Sequence, residues 1–235
     1  MKHIVSVSLG DTHHNFDLQT EFMGLPMRVC RVGTNGSTSK AVALLRHWET
    51  RADVLGLGVA RDNYSVAGKR YVEPDSTALK TAVTRVPITT GARLQDILQE
   101  WAVRHVQTTL PHFFNNARVL FLSGKEQYRL ALCLAEYTQN LQFADAVMQH
   151  GLPRMLHGVH ALELFTKGVD WVPDWVPGLA ADTKPVKQWA NAVLLSALKE
   201  STVLVAMPHE VDALMAHDLA GKVVVSCGVN DARAQ

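Results

Sequence analysis

Val119-Leu-Phe-Leu-Ser123-Gly124-Lys-Glu-Gln-Tyr-Arg-Leu-Ala131 is an apolar run that enters a glycine turn and leaves it as a helical stripe. Arg118 to Ser123 reads as a compact strand, Gly124 opens a helix reaching to about Tyr137, and Leu141 to Ala144 reads as a second short strand. Two parallel strands need a crossover and the helix supplies it, so the stretch is a βαβ unit. In such a unit the backbone N–H groups of the turn carry partial positive charge and can hold a pyrophosphate. The full dinucleotide fingerprint has three glycines, whereas this loop has Gly124 alone, with Arg129 where a small residue lets helix and strand approach. Asp145 lies 21 residues beyond Gly124, just past the second strand, where an acid can bind a ribose hydroxyl. Ser123, Gly124 and Lys125 are therefore candidates for holding cofactor phosphates and Asp145 for the ribose. A plain βαβ turn with an incidental aspartate is the alternative.

The pattern continues on the carboxyl side. Val186 to Leu198 reads as a helix, Thr202 to Met207 as a strand, Val211 to His217 as a short helix and Lys222 to Ser226 as a last strand. Alternating elements of this kind imply a parallel sheet covered on both faces. Phe165 to Lys184 contains Asp-Trp-Val-Pro-Asp-Trp-Val-Pro, too short for a repeat architecture and expected to be a packed loop.

The amino half mixes strands and helices. His3 to Ser8, Asp17 to Phe22 and Met27 to Val32 are β-prone, and Ser37 or Thr38 caps a helix whose apolar positions are Ala41, Leu44, Leu45 and Trp48. Asp53 to Ala60 reads as a buried strand, and Asn63 to Glu73, broken at Ala67-Gly68, as a hairpin. Asp75 or Ser76 caps a short helix, Val86 to Thr89 is a strand, and Leu94, Ile97, Leu98 and Trp101 form a helical stripe. Thr108 to Asn116, with Pro111 and no clear period, reads as a break. The expected fold is thus two-lobed α/β: a mixed α/β lobe over residues 1–110, then a Rossmann-like, mostly parallel sheet over 115–235, with a cleft between them.

Composition narrows the partners. The 235 residues carry a net charge of +1, which argues against the broad cationic field of a nucleic-acid binder. Val54 to Ala60 and Val203 to Met207 are among the longest apolar stretches, far short of the roughly 20 residues that span a bilayer. The first residues alternate with serine and lack the apolar centre of a secretory signal. Cys30, Cys133 and Cys227 are too scattered for a disulfide framework or a zinc knot, so a reducing cytoplasm is expected. A small-molecule substrate, with neither nucleic acid nor membrane, is the expected partner, and a homodimer is compatible.

Several motifs together carry a resemblance. Val5-Ser-Val-Ser-Leu-Gly10, Arg31-Val-Gly-Thr-Asn-Gly36, Leu55-Gly-Leu-Gly58 with Asp62 and Tyr64, Gly68-Lys-Arg-Tyr71, Phe121-Leu-Ser-Gly124, Phe143-Ala-Asp145 and Gly151-Leu-Pro153 occur in that order. The chain resembles, from residue 3 to about 228, the bacterial quinate 5-dehydrogenase proteins, themselves broadly similar to shikimate-type dehydrogenases. The resemblance implies NAD or NADP as cofactor and oxidation or reduction of a small hydroxylated or keto acid. It also implies proton handling by His209, which follows the strand ending at Met207, and by Lys40 with Asp62, because an amine beside a carboxylate can shuttle an alcohol proton. Departures are Arg129 and Asn35, where the family has glycine and aspartate, and a chain that stops at Gln235 where members continue. The leading expectation is thus an NAD(P)-dependent oxidoreductase of a small hydroxylated or keto acid, and the rival, for which Arg129 and the early carboxyl end speak, is a protein that keeps the fold and binds a small ligand or a partner without redox chemistry.

The remaining signals are weaker. His157, His160 and Glu163 follow one another at helical spacing, but His-x-x-His-x-x-Glu has no established ligand geometry, so no metal is expected. Trp171 and Trp175, flanked by proline, read as loop anchors. Neither Cys133 nor Cys227 has a base nearby in sequence to make it a nucleophile.

Overall fold

The computed structural model describes residues 1–60, 63–72, 74–169, 184–207, 210–211, 214 and 219–226. They form two compact α/β units: Met1–Tyr64 with Arg70–Leu94, and Ser65–Lys69 with Gln95–Gln235. Both are sheets flanked by helices, as the alternating pattern requires.

In the first unit, β1 (Lys2–Ser8) lies between β3 (Leu25–Gly33) and β4 (Val54–Gly58), parallel to both. β2 (Phe16–Phe22) joins the edge antiparallel to β3, and β7 (Ile88–Thr89) closes the other edge, giving the order β2-β3-β1-β4-β7. Alternate residues share a face, so Val5, Val7, Cys30, Leu55 and Leu57 meet Ala41 and Leu45 of α1 (Thr38–Trp48) and Leu79 of α2 (Pro74–Thr81) in one core. Full burial of each such aliphatic side chain contributes about 1.5–3 kcal/mol. Ser37 caps α1 by accepting the Lys40 N–H at 3.3 Å, as the sequence suggests. β5 (Asn63–Val66) and β6 (Lys69–Val72) make a two-stranded hairpin, of which Ser65–Lys69 belongs to the second unit. Its turn residues Ala67 and Gly68 both have positive φ (48° and 81°), the type I′ geometry that matches strand twist.

In the second unit, β8 (Val119–Phe121) is flanked by β9 (Leu141–Phe143) and β11 (Val203–Val205), both parallel to it. β12 (Val223–Val225) extends the parallel run, and β10 (Leu156–His157) adds an antiparallel edge, so the order is β10-β9-β8-β11-β12. On one face Leu120, Leu122 and Leu204 pack with Val147 of α5 (Asp145–His150) and with Ala190, Leu194, Ala197 and Leu198 of α7 (Lys184–Glu200). Alternation places Phe121 and Phe143 on the other face, their rings stacked 5.0 Å apart. The Rossmann-like, mostly parallel sheet expected here is present.

Two elements differ from the sequence reading, and a third is present as expected with its apolar stripe exposed. The helix after Gly124 starts only at Tyr128: α4 spans Tyr128–Ala135, and residues 124–127 form a turn closed by the Gln127 N–H on the Ser123 carbonyl at 3.3 Å. Phe165 is not in a loop, because α6 covers Gly158–Val169; the Trp171 and Trp175 repeat lies outside the described residues. α3 spans Ala92–Thr109, and Leu94, Ile97, Leu98 and Trp101 are its exposed stripe, Trp101 being 61 % exposed. Its buried positions are Ala92, Gln99 and Val103. Most of α3 belongs to the second unit, so the Thr108 to Asn116 segment lies inside that unit. No helix among the described residues is long and apolar enough to cross a membrane.

Candidate functional site

In an open parallel sheet, ligands bind beyond the carboxyl ends of the strands, where the strand order reverses. From β8 the chain steps to β9 on one side and later to β11 on the other, so the reversal lies between β8 and β11. Ser123 follows β8 and Glu210 follows β11. The Ser123 hydroxyl donates to one oxygen of the Glu210 carboxylate, and the other oxygen accepts the Met207 N–H at 2.7 Å. Ser123 and Glu210 are both buried, so a carboxylate is held between the two strand ends by donors from each.

The Gly124 turn lies beside them. Gly124 and Lys125 donate their N–H groups to the two oxygens of Asp145, at 2.8 and 2.9 Å. Asp145 has no solvent-exposed surface. Burial raises its pKa, and the N–H bonds from Lys125 and Gly124 oppose that rise. Gly124 itself is required by packing: a Cβ there would lie 2.2 Å from Cδ1 of Phe143 and 2.9 Å from the Asp145 carboxylate. Four sequence candidates, Ser123, Gly124, Lys125 and Asp145, are thus brought together, but the acid is bonded to the turn that was expected to take phosphate.

The helix contributes little positive field to this turn, because α4 begins four residues after Gly124 and the dipole effect falls off within the first turn. Arg129, the residue that departs from the fingerprint, points outward and pairs with Glu100 at 3.0 Å. Gln127 is only 2 % exposed, and among the described residues neither its amide oxygen nor its amide nitrogen has a partner.

Lys40 sits in the first turn of α1, in the other unit, with an exposed side chain. Asp62 and His209 lie outside the described residues, as does Cys227. Cys133 is buried in α4 and its thiol is pushed up to about 11 by burial, which suits an inert core residue. His157 lies in β10 rather than on a helix, and His160 approaches Glu163 at 3.8 Å. Among the described residues no group of three or more His, Cys, Asp and Glu could hold a metal ion. Tyr128 donates its hydroxyl to Glu163; burial and that carboxylate push its pKa up to about 12.

Glu210 and Gln127 were not singled out from sequence. Glu210 had a readable signal, an acid following a strand of a parallel sheet, whereas the orphaned amide of Gln127 has none.

One family model covers residues 93–235, more than half of the chain. The chain belongs to the family described as Domain of unknown function (DUF8754). A second model, Domain of unknown function (DUF8753), matches residues 3–90, so the two matches meet near the start of α3. The DUF8754 segment contains Ser123, Gly124, Gln127, Asp145 and Glu210, and the DUF8753 segment contains Lys40 and Asp62. Among curated proteins none matches the chain. Similar solved structures include aspartate transcarbamoylase from Trypanosoma cruzi in complex with aspartate and phosphate, at 12 % identity and TM-score 0.34, covering 99 % of this chain and 69 % of that one. The same enzyme with carbamoyl aspartate and phosphate scores 0.33 at 10 % identity, covering 95 % and 71 %. A further chain from that organism scores 0.32 at 10 % identity, covering 88 % of this chain and 63 % of its own length.

Proposed function

We propose that this protein binds a small hydroxylated ligand at the strand reversal of its second unit and carries out no redox chemistry through a dinucleotide at the Gly124 turn. The observation that carries this reading is the Asp145 carboxylate on the Gly124 and Lys125 N–H groups. A phosphate needs those donors, and Asp145 holds both within a buried contact where displacement would leave its carboxyl buried without partners. The delayed start of α4 and the outward Arg129 support the same reading.

The proposed ligand site draws on Ser123 and Glu210 at the strand ends and on Gln127, whose N–H closes the turn on the Ser123 carbonyl and whose amide has no partner among the described residues. A carboxylate acceptor, a hydroxyl and an amide suit the alternating donors and acceptors of a polyol. A buried side-chain amide without partners costs about 1–3 kcal/mol for each unsatisfied group, a cost commonly tolerated where a ligand supplies the bonds. Cys30 and Cys133 are free, buried thiols, consistent with a reducing, cytoplasmic setting.

The second reading, an NAD(P)-dependent oxidoreductase of a small hydroxy or keto acid, is favoured by the strand order and by an acid at the end of β9 beside the glycine turn. Thermal-shift titration with myo-inositol, quinate, NADH and NADPH separates the two. The ligand-binding reading expects at least one polyol to raise the melting temperature, with the shift lost in Ser123→Ala and no shift from either dinucleotide. Consumption of NADH or NADPH with a keto acid would establish the second reading instead.

A further inference from the structure

At the amino ends of the same strands, opposite the Gly124 turn, lies a cavity of about 250 Å³ lined by Arg118, Gln139, Asn140, Leu141, Gln142 and His157. Three separate elements supply its polar groups. Arg118 directly precedes β8, Gln142 is in β9, and His157 is the cross-strand partner of Gln142 in β10. Directly opposed residues on neighbouring strands present their side chains on one face, so Gln142 and His157 stand side by side.

The lining contains a permanent cation and no carboxylate. Three other arginines of the described residues are paired with carboxylates, Arg28 with Asp17, Arg104 with Glu136 and Arg129 with Glu100, whereas the cavity offers Arg118 no carboxylate. Among the described residues the side chains of Arg118, Gln142 and His157 have no hydrogen-bond or ion-pair partner. The Arg118 backbone is fixed nonetheless: its N–H bonds the Thr202 hydroxyl at 3.1 Å and its carbonyl accepts the Thr202 N–H at 2.8 Å. The strand therefore anchors the residue while the guanidinium is left to another partner.

We propose that this cavity binds a compact oxyanion, a phosphate or a dicarboxylate, through the forked guanidinium of Arg118 with the Gln142 amide and the His157 ring as further donors. A guanidinium matches two oxygens of either anion at once, and the flanking amide and imidazole fill the remaining acceptor positions. The volume lies below the range of about 300–1,000 Å³ usual for drug-sized ligands, which limits the occupant to a small molecule or to the anionic end of a larger one. The site is separate from the strand reversal, because Arg118 and Ser123 flank β8 at its two ends.

Calorimetric titration of the whole chain with inorganic phosphate and, separately, with malonate, at constant ionic strength set with chloride, tests this proposal. Saturable binding of at least one anion is expected, with Kd on the order of 1 mM or tighter. Arg118→Gln should weaken it about 10-fold or more, and His157→Gln should weaken it by a smaller factor. Binding of phosphate alone assigns the phosphate group; binding of malonate alone assigns a dicarboxylate. Absence of saturable binding of either anion at tens of millimolar (roughly ten times the expected Kd), or binding that Arg118→Gln leaves unchanged in a folded variant, overturns the proposal.

Discussion

The Asp145 carboxylate reaches from the end of β9 to the Gly124 N–H, 2.8 Å away, and to the Lys125 N–H at 2.9 Å. In a dinucleotide site those donors face a pyrophosphate. Here a side chain of the protein takes that place, and Gly124 is glycine because Phe143 and Asp145 pack where its Cβ would be.

Removal of this carboxylate should act on folding before it acts on any ligand. Asp145→Ala leaves one buried and one partly buried N–H group without an acceptor, and an expected loss of about 1–4 kcal/mol follows from the cost of such orphans. Urea denaturation of the variant against the wild type measures it.

The pH dependence has a definite sign. Burial leaves the folded-state pKa of Asp145 above its ordinary value of 3.8, so the folded protein holds this proton more tightly than the unfolded chain does. Its contribution is most favourable below that ordinary value and is lost as pH rises through the folded value. The stability of wild type relative to Asp145→Asn, which does not titrate, should therefore grow as pH falls from 7 toward 4. Denaturation midpoints at several pH values give the slope, and a slope of opposite sign would mean that the two N–H bonds outweigh burial.

Gly124→Ala tests the packing role of the glycine. The added methyl would meet the Phe143 ring, and overpacking of this kind costs about 1–3 kcal/mol. A lower melting temperature in the variant without any ligand present is the expected result.

Gln127→Met separates stability from binding. Replacement of an unpartnered buried amide by an apolar side chain of similar length should leave stability unchanged or raise it by about 1 kcal/mol. The same variant should lose the polyol-induced thermal shift. A clear drop in stability would instead mean that the amide is satisfied within the folded protein.

The strand, turn and second strand around Gly124 were legible in the sequence because apolar runs and a lone glycine fix them locally, and the Ser37 cap and the Ala67-Gly68 hairpin turn were legible for the same reason. The role of Asp145 was not. Its spacing from Gly124 suits a ribose ligand and an internal acceptor equally, and only burial decides between them. The Leu94, Ile97, Leu98 and Trp101 stripe marked the helix α3 as expected, but its exposure was not legible, because periodicity identifies an apolar face without saying what lies against it. The start of α4 was misplaced because a glycine after a strand signals a turn but does not count how many residues the turn takes before Tyr128. Glu210 meets Ser123 only through the adjacency of β8 and β11, which are far apart in sequence.

The most direct measurement is the NMR amide signals of Gly124 and Lys125, followed as NADPH and then NADH is added to the wild-type protein. With Asp145 on both N–H groups, the two signals should stay in place at millimolar cofactor (the weak end of the affinity scale) and should move when Asp145→Asn is introduced. Saturable, cofactor-dependent shifts of these two amides in the wild type would contradict the account.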